Sequence, residues 1–151
     1  MAILDANLEF SDAQSLIASS AAVVESTNVY DIWEGNATNP NKDAFGNAKA
    51  PELGGLVWNC NINTTINAVT IITAKLMTHT AASSIASGTE VASIIFVAAA
   101  KAGVKRSFKI PPGTEIAIAD RYIGATYTVS GAKCTAGAID SFLNLDNEAY
   151  D

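Results

Sequence analysis

The run from Arg121 to Val129 constrains the fold of this chain more than any other stretch. Arg121, Ile123, Ala125, Tyr127 and Val129 fall on one side of it, and Tyr122, Gly124, Thr126 and Thr128 on the other. A period of two belongs to a half-buried β-strand, because successive side chains point to opposite faces of a sheet. Ile139, Ser141, Leu143 and Leu145 repeat it against Asp140, Phe142, Asn144 and Asp146, after a turn around Ser130-Gly131. Upstream, Val104, Arg106, Phe108 and Ile110 alternate with Lys105, Ser107 and Lys109 before Pro111-Pro112-Gly113 ends the strand.

The rest of the chain reads the same way. Ala2 to Phe10 is expected as the first strand, with Leu4, Ala6, Leu8 and Phe10 set against Asp5, Asn7 and Glu9, and Ser11 to Gln14 as the turn that follows it. Short apolar pieces at Leu16, Ile17 and Ala18 lead on to Thr27 to Ile32. Leu56, Trp58, Cys60 and Ile62 then alternate with Val57, Asn59 and Asn61, giving a Trp face and an Asn face. With the next strand, Asn67 to Thr78, this one is expected to form a hairpin or to lie beside it. Thr80 to Ser87 reads as a connector, Glu90 to Val97 as a strand, and Ala98 to Ala102 as one helical turn stopped by Gly103. About eight to ten short strands without an amphipathic helix predict an all-β, jelly-roll-like antiparallel sandwich, its first and last strands close together.

One stretch breaks the pattern. Residues 33–52, rich in Asn, Gly, Pro and Lys, form a long loop or arm with aromatic anchors at Trp33 and Phe45. Two readings apply to it: a surface excursion, or an arm that orders against a neighbouring subunit. The last residues, 147–151, are expected as a tail, and an extended tail can lie across a neighbour's surface through Asn147 and Tyr150.

At 151 residues the chain has the length of a single domain, 1–151, and a fold of this size buries roughly 68 to 70% of its unfolded surface. Its formal charge of −6 and pI near 4.6 argue against non-specific nucleic-acid binding, which depends on clustered Lys and Arg. No basic, apolar leader opens the sequence, and Ile94 to Ala100 is too short for a membrane helix. A soluble protein made in a cytosol is expected, with Cys60 and Cys134 as buried free thiols.

Catalytic chemistry finds little to work with here. His79 is the one histidine, at a strand end, and no nucleophile-elbow sequence accompanies it. Zinc would require His79 with Cys60 and Cys134, which lack ligand spacing. Asp140 with Asp146, or Asp5 with Glu9, share strand faces without the aromatic and amide surroundings of a sugar cleft. Gly54-Gly55 lacks the context of a phosphate-binding loop. We therefore expect no enzyme, no metal and no cofactor.

Charge distribution carries more information. From Leu53 to Ala100 the only formally charged residues are Lys75 and Glu90, which fits a core sheet or a sheet covered by another subunit. Acidic residues collect in 1–52 and in the tail, whereas Lys101, Lys105, Arg106, Lys109 and Arg121 make a basic strip. That strip either faces water and its own acidic ends or meets acidic surface on a neighbour.

Three groups of residues carry a family resemblance. In order they are Pro111-Pro112-Gly113, Arg121-Tyr122 with Tyr127-Thr128-Val129, and Thr135 to Ile139 with Phe142 to Asp146. Together they resemble the C-terminal half of the Bbp16-type capsid cement proteins of tailed bacteriophages. The opening, Ile3 to Gln14, is similar to that family's opening; residues 33–52 have no counterpart in its pattern. The resemblance implies a structural protein on the outside of a phage head, bridging major capsid protein subunits and itself homo-oligomeric, with a dimer favoured over a trimer. The alternative from the residues is a virion-displayed sandwich that binds host-surface carbohydrate through Tyr30, Trp33, Tyr122 and Tyr127.

Overall fold

The computed structural model describes residues 8–32, 53–67 and 70–144. Among them run nine strands: β1 (Leu8–Ser15), β2 (Val23–Glu25), β3 (Tyr30–Asp31), β4 (Val57–Thr64), β5 (Thr70–His79), β6 (Thr89–Phe96), β7 (Lys105–Lys109), β8 (Tyr122–Gly131) and β9 (Ala138–Asn144). A 3-10 segment, Ala82–Ser87, separates β5 from β6.

Two antiparallel sheets pack face to face, in the orders β1-β9-β4-β7 and β2-β8-β5-β6, with β3 also paired to β8. If β2 and β3 count as one interrupted strand, the chain pairs first with last, β1 with β9, and then inward: β2 and β3 with β8, β4 with β7, β5 with β6. This long hairpin is then rolled, so that β9 meets β4 and β8 meets β5. Such a winding is the two-Greek-key jelly roll. The expected all-β sandwich is therefore the observed one, with its first and last described strands adjacent.

Alternation explains the core. Trp58, Cys60, Ile62, Ile139 and Leu143 project from one sheet, and Ile72, Leu76, Phe96, Ile123, Ala125, Tyr127 and Val129 from the other, all almost wholly buried. Burying each large apolar side chain contributes roughly 1.5 to 3 kcal/mol. Polar atoms inside are paired. Tyr127 Oη lies 2.8 Å from Ser11 Oγ, bonding β8 to β1 across the sandwich, and Trp58 Nε1 donates to Ser141 Oγ at 2.9 Å. Among the described residues no buried side-chain N or O lacks a partner.

The structure corrects three local expectations. Ser11 to Gln14 is not a turn but part of β1, where two register shifts against β9 and a positive φ at Ala13 absorb the polar residues. Ser11 is buried there, donating to Gln14 Oε1. Second, β4 and β5 are not paired; they belong to opposite sheets. Third, Ala98 to Ala102 forms a turn with Ala99 at φ 62°, not a helical turn. Backbone bonds to β4 and the connection after it hold this turn and the glycine that follows: Ile66 N–H donates to Ala100 O, and Gly103 N–H to Ile62 O. The strand expected over Ala2 to Phe10 is described only from Leu8.

Candidate interaction surfaces

Four residues of the basic strip come together and one does not. Lys105, Arg106 and Lys109 lie on β7, Lys101 on the connection leading into it, and all four are exposed. Among the described residues β7 pairs with β4 alone, so these cations line a sheet edge. Arg106 also reaches back toward the core, its guanidinium carbon 6.0 Å from the centre of the Phe96 ring. Arg121 stands in the other sheet, just before β8. Its Nε donates to Asp31 Oδ2 at 2.9 Å, and its guanidinium lies 5.3 Å from the Tyr122 ring centre. That ion pair fastens β3 to β8, one of the intrachain pairings with acidic residues that the sequence allowed. Trp33, Phe45, Asn147 and Tyr150, with the 33–52 loop and the 147–151 tail, lie outside the described residues.

A second surface emerges on the outer side of the β2-β8-β5-β6 sheet. The register sets Val23 beside Thr128, Thr128 beside Thr73, and Thr73 beside Ile95, a row that crosses four strands. Strand spacing makes that row about 14 Å long. Ile71 and Ser130 lie opposite one another in the next row. Val23, Ile71, Ile95 and Val97 are 48, 37, 54 and 61% exposed, with no charged side chain between them. Charge returns in the row on the other side, Glu25, Thr126, Lys75 and Ser93, where Lys75 Nζ also pairs with Glu90 Oε2 at 2.7 Å. The other half of this face is covered by the 3-10 segment, whose Ile85 is fully buried over Gly124. A Cβ at Gly124 would approach Ile85 and Val29 to 3.2 Å, so a larger residue there would lift the segment.

The low charge from Leu53 to Ala100 thus has two physical sources. Part of that stretch is core, and part is this bare outer face. Sequence alternation alone could not separate them, because Ile71 and Ile95 look like core residues in a strand pattern.

Groups considered for chemistry are occupied structurally. His79 Nδ1 accepts from the Ala81 N–H at 2.9 Å, and Ser87 Oγ lies 3.5 Å from its Nε2. Cys60 is fully buried, and burial pushes its thiol pKa up to about 12, so it stays protonated and is a poor nucleophile at neutral pH. Asp140 accepts from the Ala13 N–H and from Asn63 Nδ2, tying the β1 irregularity to β9 and β4. Asp120 accepts from Thr78 Oγ1 at 2.7 Å. Among the described residues no three His, Cys, Asp or Glu side chains are placed to share a metal ion.

The aromatic set proposed for sugar stacking is also dispersed. Tyr127 is wholly buried, which removes it from any open face. Tyr30 donates its hydroxyl to Glu9 O at 2.7 Å, and its ring meets Phe10 edge-on with centroids 5.6 Å apart. Tyr122 is half-buried beside Arg121. No protein-family model matches the chain, and no curated protein matches it either.

Proposed function

We propose that this protein is a capsid cement protein, held on the outer surface of a tailed-phage head and bridging major capsid protein subunits. The observation that carries the reading is the uncharged outer face at Val23, Ile71, Thr73, Ile95 and Thr128. A protein of formal charge −6 leaves this half of one sheet face, up to the row of Glu25 and Lys75, free of charge and rich in exposed β-branched residues. Exposed apolar surface of that kind marks association. The resemblance of Pro111 to Gly113, Arg121 to Val129 and Thr135 to Asp146 to the Bbp16-type cement proteins supplies the partner.

The mechanism is added interface. A stable protein contact buries about 1,200 to 2,000 Å² in total, more than the bare patch alone, so the basic β7 edge is the natural flank of the contact. Lys105, Arg106 and Lys109 would set orientation and encounter rate against acidic capsid surface, more than affinity. Binding the assembled shell and not its dissociated parts stabilises the shell by mass action.

Co-sedimentation with capsids stripped of this protein tests the reading. Saturable binding at a fixed small-integer ratio to the major capsid protein is expected, weakened when Lys105 and Arg106 are both replaced by Glu. No binding by correctly folded protein would overturn it.

A further inference from the structure

The two ends of the sandwich are built differently. Connections 16–22, 65–69, 97–104 and 132–137 each carry the chain from one sheet to the other, and they meet at one end. Hydrogen bonds fasten them in series. Ala18 exchanges two backbone bonds with Cys134, and Leu16 N–H donates to Gly137 O. Asn67 Nδ2 donates to Lys133 O, and Asn67 Oδ1 accepts from the Thr135 N–H. Thr65 Oγ1 accepts from the Ala102 N–H, beside the bond from Ile66 N–H to Ala100 O. The connections therefore form a platform ordered before any partner arrives, the condition under which loops on a rigid scaffold bind best. In a chain of formal charge −6 they contain no carboxylate, and their charges are Lys101 and Lys133, both exposed. The bare half of the outer face runs into the same end: Val23 opens β2, Ile71 is the second residue of β5, and Val97 follows β6. Ile17, in the first connection, is 59% exposed. Of the exposed large apolar side chains among the described residues, Ile118 alone stands at the opposite end, with Asp31, Arg121, Asp120 and Glu115. Charge bounds the platform inward, at Asp12 and Asp140 in one sheet and at Glu25 and Lys75 in the other.

We infer that the sandwich meets the capsid end-on, through these four connections and the adjoining bare half-face, and that the surface receiving it is apolar with carboxylates opposite Lys101 and Lys133. This rests on the capsid-binding function proposed above and gives it an orientation. Charge complementarity selects the occupant: two lysines on a platform without carboxylates attract acidic surface and oppose basic surface. An apolar centre at Ile17, Val23, Ile71 and Val97 with a charged rim is the anatomy of a protein contact. The platform also extends the area beyond that of the bare patch, toward what a stable contact buries. In this orientation the 3-10 segment Ala82–Ser87 and the connection 110–121 point away from the shell.

The test places the same charge at opposite ends, on two exposed isoleucines whose replacement leaves the core untouched. Binding to stripped capsids should weaken at least about tenfold with Ile17→Glu and stay at the wild-type level with Ile118→Glu. Lys101→Glu with Lys133→Glu should slow association and reduce its dependence on salt. Hydrogen exchange of the wild-type protein on capsids should slow in 16–22, 97–104 and 132–137 and stay unchanged in 110–121. If the wild-type protein binds and Ile17→Glu binds equally well, or if 110–121 is the stretch protected, the orientation is overturned and the function stands. Wild-type protein that fails to bind overturns the function, and the orientation with it. A free protein whose sedimenting mass falls with Ile17→Glu would assign this end to a second copy of the chain, and that too would overturn the inference.

Discussion

Across the outer face of the β1-β9-β4-β7 sheet the register aligns Asp140, Asn61 and Lys105, and next to them Phe142, Asn59 and Ser107; in the other sheet one row holds Val23, Thr128, Thr73 and Ile95, and the row beside it Glu25, Thr126, Lys75 and Ser93. The inner faces of the two sheets are alike, with Trp58 and Ile139 on one and Ile72 and Ile123 on the other equally buried. Antiparallel sheets with one solvated side normally turn polar residues outward. The first sheet follows that rule, and the second departs from it along the Val23 row and at Ile71 and Val97. Both fold against the same core, so burial in that core does not explain the departure, and the proposal above assigns it to association.

If the inner faces are equivalent and shared, damage to either should unfold both. Trp58→Ala removes the largest buried side chain among the described residues and leaves Ser141 without its indole donor. A loss of about 3 to 5 kcal/mol is expected, seen as one cooperative transition in urea. Two separate transitions would break the picture of a common core.

Alkaline pH probes the same interior. Burial raises the Cys60 thiol from its ordinary 9.0 to about 12, and it raises the buried Tyr127 hydroxyl from its ordinary 10.0 as well. Above pH 9 the unfolded chain releases the Cys60 proton while the folded chain keeps it, so stability present below pH 9 declines as pH rises toward 12. The slope from one such group is about 1.4 kcal/mol per pH unit. Cys60→Ala should lessen the decline between pH 9 and 10, leaving there the share of Cys134, whose thiol burial also raises from 9.0, and Tyr127 above that, as denaturant titrations at stepped pH would record. Tyr127→Phe, which deletes the hydroxyl that bonds β8 to Ser11 of β1, should cost about 1 kcal/mol at neutral pH.

Much of the sandwich was legible in the chain because water is excluded from one side of each strand. Arg121 to Val129 and Ile139 to Leu143 announced their inward residues directly, and Trp58, Cys60 and Ile62 did the same. Partners were not legible, since alternation gives a strand's face and not its neighbour; β4 lies between β9 and β7 although the sequence placed it with β5. Ser11 to Gln14 looked like a turn because its polar groups are satisfied inside the fold, where composition cannot see them. Tyr127 was read as a possible surface aromatic for the converse reason. Of the basic strip, the part on one strand held together, whereas Arg121 was grouped by charge alone and is paired with Asp31. The bare face was hidden in plain sight, as Ile71, Ile95 and Val97 carry the residue types of a core.

The smallest effect on stability should accompany the largest on binding. Thr73→Glu, at the centre of the uncharged rows, and Asn61→Glu, at the matching place on the polar sheet, are half-buried surface changes expected to alter stability by about 0.5 kcal/mol or less. The most direct measurement is the occupancy of stripped capsids by these two variants beside the wild-type protein. Occupancy lost with Thr73→Glu and kept with Asn61→Glu is the result predicted. Full occupancy by Thr73→Glu, or loss only with Asn61→Glu, would contradict the assignment of the uncharged face to the shell.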